Sequence, residues 1–118
     1  MAAEPRLICR SDELQEAGKG LRFEIERGGE RLPAFAVRHR GRVLAYLNRC
    51  AHVGVELDWM PGEFFDESGL YLVCATHGAT YEPATGRCIY GPCRGESLTA
   101  IDILELNGRV YLRSESHG

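Results

Sequence analysis

Hydrophobic and polar residues alternate along much of the chain with the two-residue period of β-strands. Leu21, Phe23 and Ile25 alternate with charged residues, which predicts a strand with one buried face. Turn-forming residues separate such stretches, and Asn107-Gly108 is typical of a hairpin. The same reasoning predicts further strands at 6–9, around 35–37, at 43–47, 101–104 and 110–112, a hairpin at 28–29 and a turn at 39–41, and residues 70–73 form a short apolar run. The pattern predicts an antiparallel β-sandwich.

One segment near the start is predicted to be helical instead. Ser11 is a favourable N-cap residue, and the acidic Asp12 and Glu13 suit the first turn of a helix. Gly18 and Gly20 would end this helix after about two turns. The fold class that we predict is therefore all-β, a sandwich with one short helix.

Composition restricts the class of protein further. The 118 residues fit one domain, residues 1–118, and the formal net charge of −3 argues against a nucleic-acid partner. We find neither a long apolar run typical of a membrane helix nor the apolar core of a secretory signal. We therefore expect a soluble, cytoplasmic protein whose partners include no nucleic acid and no membrane.

Cysteine usage directs attention to the middle of the chain. Five cysteines are an odd number, which argues against a closed disulfide framework. In a reducing compartment, cysteines are more often buried, metal-binding or catalytic. The segment 49–95 is poor in strand pattern and rich in Gly, Pro, Cys and His. Because irregular segments on a rigid scaffold commonly carry sites, we expect the functional site there.

Two short motifs in this segment each offer one thiolate and one imidazole. The first is Cys50-Ala51-His52, and the second is Cys74-Ala75-Thr76-His77. If the two motifs face each other, they form a Cys2His2 set that suits iron–sulfur chemistry or zinc. Unrelated buried thiols and surface histidines would be the alternative, but chance rarely gives both motifs in one short chain, each with a glycine close behind.

The motifs resemble the two cluster-binding loops of Rieske proteins. The turn at Thr85-Gly86 and the pair Gly91-Pro92 resemble the stretch that follows in that family, including the proline loop that covers the cluster. The resemblance extends loosely over most of the chain and is greatest to the small stand-alone Rieske ferredoxins. It implies a single Rieske-type domain with a cluster-binding subdomain at about 49–95.

The resemblance implies one [2Fe–2S] cluster and assigns its ligands. Cys50 and Cys74 would hold one iron, and His52 and His77 would hold the other. Histidine in place of cysteine on one iron raises the reduction potential relative to all-cysteine clusters.

Four further residues are expected around the cluster. Tyr81 would donate its hydroxyl to a ligand sulfur, and Pro92 belongs to the covering loop. Gly54 and Gly78 follow the histidines, where they would allow the backbone close to the cluster or serve turns that need positive φ.

The chain also departs from the respiratory Rieske proteins. Val55 and Thr76 stand where those proteins carry an extra pair of disulfide-forming cysteines, and Ala79 stands where they carry a hydrogen-bonding serine. Losing a hydrogen bond to the cluster should lower the potential. We therefore predict a value in the lower half of the Rieske range of roughly −150 to +300 mV.

The other cysteines and the acidic residues receive simpler interpretations. Cys9 is interpreted as a packed strand residue, and Cys88 and Cys93 as reduced, partly buried thiols, with a local disulfide or redox switch as the alternative. The stretch between Glu56 and Glu67 contains five acids and no Lys or Arg. We interpret it as a solvated loop anchored by its aromatic residues, with an acidic docking surface for a basic redox partner as the sharper hypothesis.

The function we predict is electron transfer between a flavoprotein reductase and a terminal enzyme such as an oxygenase, without substrate chemistry in this chain. A structural zinc module is the alternative from another class, although the usual zinc-finger spacing is missing. A small subunit of a reductase is a further alternative. An oxygenase by itself is rejected, because only His39 and His117 remain to bind a mononuclear iron.

Overall fold

A computed structural model describes residues 5–50, 55–58, 60–75, 78–93 and 95–113. Within these ranges the chain forms nine antiparallel strands in three three-stranded sheets. The strands are β1 (Arg6–Arg10), β2 (Leu21–Arg27), β3 (Glu30–His39), β4 (Arg42–Leu47), β5 (Leu72–Val73), β6 (Thr80–Tyr81), β7 (Cys88–Tyr90), β8 (Ile103–Leu106) and β9 (Arg109–Leu112). The sheet orders are β1-β9-β8, β2-β3-β4 and β5-β6-β7. The all-β prediction is confirmed.

Strand β3 separates two hydrophobic cores. Its residues 34–37 are all buried, although successive side chains of a strand point to opposite faces. Phe35 and Val37 belong to one buried cluster, and Ala34 and Ala36 belong to the other. Strand β3 is therefore covered on both faces at these four residues.

The core on the alanine side of β3 joins this sheet to the sheet β1-β9-β8. Ile25, Val110 and Leu112 are buried in it, and Cys9 lies there with 5% of its surface exposed. The interpretation of Cys9 as a packed strand residue is confirmed. This half of the molecule acts as the scaffold.

The core on the phenylalanine side of β3, here called the upper core, contains the site segment. Phe35 of β3 stacks on Phe64, with ring centroids 4.0 Å apart. Tyr46 of β4 donates its hydroxyl to the carbonyl of Pro83 at 2.6 Å, and burial raises the pKa of Tyr46 to about 12. These contacts attach the third sheet, β5-β6-β7, to the scaffold. Strands β6 and β7 were not predicted, because two or three residues are too few to show a period.

Two tight turns confirm the hairpin predicted at Asn107-Gly108 and the turn predicted at 39–41. Asn107 and Gly108 have φ of 53° and 76°, and Arg40 and Gly41 have φ of 52° and 78°. Positive φ at both central residues is typical of the two-residue turns that match strand twist. His39 was placed in the second turn, but it is the buried last residue of β3, with its ring near that of Phe65.

The predicted two-turn helix is wrong. Only Ser11–Glu13 form a single 3₁₀ turn, and the backbone of Leu14 is already extended. The side chain of Leu14 is 2% exposed in the scaffold core, and the Ala17 N–H donates to the carbonyl of Arg38 on β3. These tertiary contacts with the sheet override the local preference for a helix. No helix within the described residues is long and apolar enough to cross a membrane.

Candidate metal centre

The two predicted cysteine ligands lie in the upper core. Cys50 follows β4 and is 1% exposed, and Cys74 follows β5 and is fully buried. Both belong to the same buried cluster. Leu57 is fully buried in this cluster as well. The fold therefore brings two thiols from distant parts of the chain into one apolar region.

The backbone forms the same closure around each thiol. The Cys50 N–H donates to the carbonyl of Val55 at 2.6 Å, and the Cys74 N–H donates to the carbonyl of Ala79 at 2.8 Å. Each bond spans five positions and closes a loop that contains one of the predicted histidine ligands. The sequence motifs thus lie in two loops of matching closure.

The predicted imidazole ligands, His52 and His77, lie outside the described residues, as does Gly54. Within the described ranges no three His, Cys, Asp or Glu side chains gather as a metal site. The structure accordingly places two of the four predicted ligands, both of them thiols.

Tyr81 lies against one of these thiols. Its hydroxyl oxygen is 3.2 Å from the Cys50 sulfur, and the whole residue is buried. A thiolate ligand can only accept, so the hydroxyl donates when Cys50 binds a metal. Strand β6 positions this side chain, since Tyr81 pairs with Leu72 on one side and with Cys88 on the other.

Sequence reasoning missed a polar support beneath the first loop. Asn48 is 1% exposed; its side-chain oxygen accepts from the Leu57 N–H at 2.9 Å, and its amide donates to Asp58 at 3.1 Å. The Asp58 carboxylate also accepts from the Gly62 N–H at 3.0 Å. These bonds hold the chain on the far side of the loop that Cys50 begins. The sequence did offer a signal for this support, since the polar Asn48 lies between the apolar strand at 43–47 and the motif that begins at Cys50.

Replacing Asn48 with alanine is expected to destabilise the fold by about 2–3 kcal/mol. The change leaves the buried Leu57 N–H without its side-chain acceptor and removes one of the donors to the nearly buried Asp58 carboxylate, which costs more than a simple lost hydrogen bond. Urea unfolding followed by circular dichroism measures the difference. Asn107→Gly is the matched control, because that exposed asparagine has positive φ and glycine adopts it freely. Equal stability of the two variants would contradict the role of Asn48.

The acidic stretch is largely engaged within the fold. The Asp58 side chain is 2% exposed, Glu56 forms an ion pair with Arg22 at 2.8 Å, and Asp66 binds Ser68 and the Gly69 N–H. These contacts favour the plain interpretation, a loop anchored to the fold, over an acidic docking surface.

In the proline loop, the alternative given for its two cysteines is the one present. Cys88 and Cys93 form a disulfide, with Cα atoms 5.8 Å apart, so the expectation of reduced thiols is wrong. Both residues are buried in the upper core, while Pro92 between them is exposed. The fold brings the two side chains together at the two ends of one short loop. Gly78 has φ of 70° and is exposed, which fits a turn that needs positive φ.

Comparison with known proteins identifies the family. The model of the Rieske [2Fe-2S] domain matches residues 4–106. The chain belongs to this family, whose cofactor is one Rieske-type [2Fe–2S] cluster. This membership supports the iron–sulfur interpretation of the Cys2His2 set and not the zinc module. A search of curated proteins found no match.

Solved structures share the fold at low sequence identity. The ferredoxin of carbazole 1,9a-dioxygenase from Nocardioides aromaticivorans IC177 is 21% identical, with a TM-score of 0.69 over 95% of this chain and 99% of that one. The terminal oxygenase of that system is 22% identical, with a TM-score of 0.74 over 98% of this chain and 32% of that one. A carbazole-bound oxygenase and ferredoxin complex gives 20% identity and a TM-score of 0.76, over 98% of this chain and 29% of that one. The chain thus matches about a third of the length of the oxygenase and nearly the whole length of the ferredoxin.

The described residues fit the cluster that the family implies. Thiolates are the soft donors that iron–sulfur clusters use, and Cys50 and Cys74 present them from one apolar region. A neighbouring hydroxyl group is directed at one of the sulfurs. Burial and hydrogen bonding of this kind tune the redox properties of a bound cluster.

Proposed function

We propose that this chain is a cytoplasmic one-electron carrier that holds its cluster on Cys50, His52, Cys74 and His77. It would pass single electrons from a flavoprotein reductase to a terminal enzyme such as an oxygenase. The observation that carries the proposal is the burial of Cys50 and Cys74 in the same upper core, with the Tyr81 hydroxyl 3.2 Å from the Cys50 sulfur. When bound, the cluster supplies reversible one-electron chemistry, and the protein supplies the ligands, the environment and the docking face.

The protein's own groups determine how readily an electron is accepted. Burial of Cys50 and Cys74 keeps water from the sulfurs and favours the less negative, oxidised state. The Tyr81 hydroxyl opposes this effect, because a donor stabilises the extra negative charge on the sulfur that it contacts. Ala79, in the loop that Cys74 begins, is fully buried and has no hydroxyl. It therefore cannot supply the hydrogen bond that a serine would donate from this position.

The match to a ferredoxin is the basis for proposing an electron carrier. The ferredoxin of the carbazole dioxygenase system is matched over almost its whole length, whereas the oxygenase of that system is more than three times as long as the matched part. The roles of both proteins in one system are the basis for proposing an oxygenase as the acceptor here.

A redox titration of the purified protein tests this proposal. We expect a one-electron transition with a midpoint in the lower half of the range of roughly −150 to +300 mV. The reduced protein should then pass its electron to an oxidised probe such as cytochrome c. A two-electron transition, or a reduced protein that does not reoxidise with the probe, would overturn the proposal.

Tyr81→Phe is expected to lower the midpoint potential by roughly 40–60 mV. This change removes a single hydroxyl. We take its hydrogen bond to stabilise the reduced state over the oxidised state by about 1 kcal/mol. For one electron a tenfold change in the equilibrium constant corresponds to 59 mV, so this energy gives a shift of that size. The comparison variant is Tyr111→Phe, a tyrosine of β9 far along the scaffold, which should leave the potential unchanged. Equal potentials in both variants would show that Tyr81 does not act on the cluster.

A further inference from the structure

The Cys88–Cys93 disulfide closes a short loop beside the proposed cluster ligands. Cys88 begins β7 directly opposite Tyr81, whose hydroxyl lies on the Cys50 sulfur. Two backbone hydrogen bonds continue the closure, from Cys88 N–H to the Glu96 carbonyl and from Glu96 N–H to the Cys93 carbonyl, both at 2.9 Å. The two ends of the loop are therefore joined by the disulfide and, through Glu96, by two backbone hydrogen bonds.

Gly91, in the middle of this loop, packs closely against the second ligand loop. Gly91 has φ of 102°, and a Cβ placed on it would lie 3.0 Å from the Ala79 Cα and 3.4 Å from the Ala79 nitrogen. Ala79 in turn supplies the carbonyl that closes the loop begun by Cys74. Gly91 therefore packs directly against the backbone at Ala79, so a shift of Gly91 in that direction would have to displace Ala79.

The bond is better suited to local control than to global stability. The stabilisation that a disulfide gives grows with the length of the loop that it closes, and these two cysteines are five positions apart. Disulfides in reducing compartments are usually transient and redox-sensing. Cys88 is the less deeply buried of the two cysteines, with 3% of its surface exposed against 0% for Cys93, and it lines an open cleft of about 450 Å³ together with Glu82, Thr85, Arg87, Ile89 and Gly95.

We propose that the Cys88–Cys93 disulfide is a redox-responsive clamp that a protein dithiol opens by exchange at Cys88. One thiolate of the dithiol attacks the Cys88 sulfur, the bond to Cys93 breaks, and Cys93 leaves as a thiolate that takes up a proton. The second thiol of the partner then displaces Cys88, so the partner becomes a disulfide and this chain gains two thiols. The opened loop no longer holds Ala79 in place, and the cluster is released more easily. This consequence rests on the proposed function.

Peptide mapping tests whether the bond forms. Arg87 and Arg94 flank the cysteines, so trypsin releases residues 88–94 as one heptapeptide that contains both. After thiol blocking in denaturant, we expect this heptapeptide unlabelled and lighter than its reduced form by two hydrogen atoms. Iron and sulfide are measured first on the same sample. A protein without them contradicts the proposed function, whereas a loaded protein with both cysteines labelled overturns the clamp alone.

Exchange and its effect on the cluster are tested with reduced thioredoxin as the dithiol. We expect thioredoxin to convert the heptapeptide to its doubly labelled form and to speed iron transfer to a chelator several-fold. The double variant C88S/C93S should release iron at the faster rate with or without thioredoxin. C9S is the control, a buried thiol of the scaffold core whose loss should leave the rate and the thioredoxin response unchanged. A bond that resists thioredoxin, or a double variant that keeps iron as long as the control does, would overturn the proposal.

Discussion

Replacing Cys74 with alanine is expected to abolish iron binding and the red-brown colour of the protein. The change removes one of the two thiolates of a proposed four-ligand set. It does so at a fully buried position, where no solvent ligand can take its place. Iron and acid-labile sulfide content, measured after anaerobic purification, should fall to background.

The matched control is Cys9→Ala. Cys9 is also buried, but it lies in the scaffold core, where burial above all raises the pKa of its thiol to about 11. It therefore stays a protonated, inert thiol at neutral pH. The control should retain the full cluster and lose only about 1 kcal/mol of stability. A Cys74→Ala protein with as much iron as this control would refute the assignment of Cys74.

Replacing both predicted histidine ligands, His52→Cys and His77→Cys together, is expected to lower the midpoint potential by roughly 250 mV or more. Four thiolates put more negative charge on the cluster than two thiolates and two neutral imidazoles do, and all-cysteine clusters of the plant type lie near about −400 mV. Direct electrochemistry measures the change.

The control for this pair is His39→Gln. His39 is buried at the end of β3, outside both ligand motifs, so its replacement should leave the potential unchanged. If the double variant keeps the potential and visible spectrum of the unchanged protein, the imidazoles are not ligands and the Rieske assignment of these histidines fails.

The parts of this fold that the sequence predicts well are those whose cause is local. Leu21, Phe23 and Ile25 show a strand period because β2 is covered on one face, and Asn107-Gly108 favours the turn that it forms. The ligand motifs are local as well, since each pairs a cysteine with a histidine two or three residues later, and the ligand role of these residues stays a prediction.

The parts that were missed depend on contacts between distant segments. The preference of Ser11, Asp12 and Glu13 for a helix loses to the burial of Leu14 against the sheet. Asn48 reveals its role only when Leu57 and Asp58 are folded beneath it.

The disulfide was given only as the alternative to reduced thiols, for a different reason. Spacing alone permits either thiols or a bond between Cys88 and Cys93, and the expected reducing compartment favoured thiols. The β7 strand and the turn after it bring the two cysteines together, and no residue pattern reports that proximity.

Electron paramagnetic resonance of the dithionite-reduced, anaerobically purified protein tests the central claim most directly. A cluster held by two sulfurs and two imidazole nitrogens should give a signal whose average g-value lies below that of clusters with four thiolates. An average g-value equal to that of an all-cysteine cluster, or a colourless protein that contains zinc and gives no signal, would contradict the account.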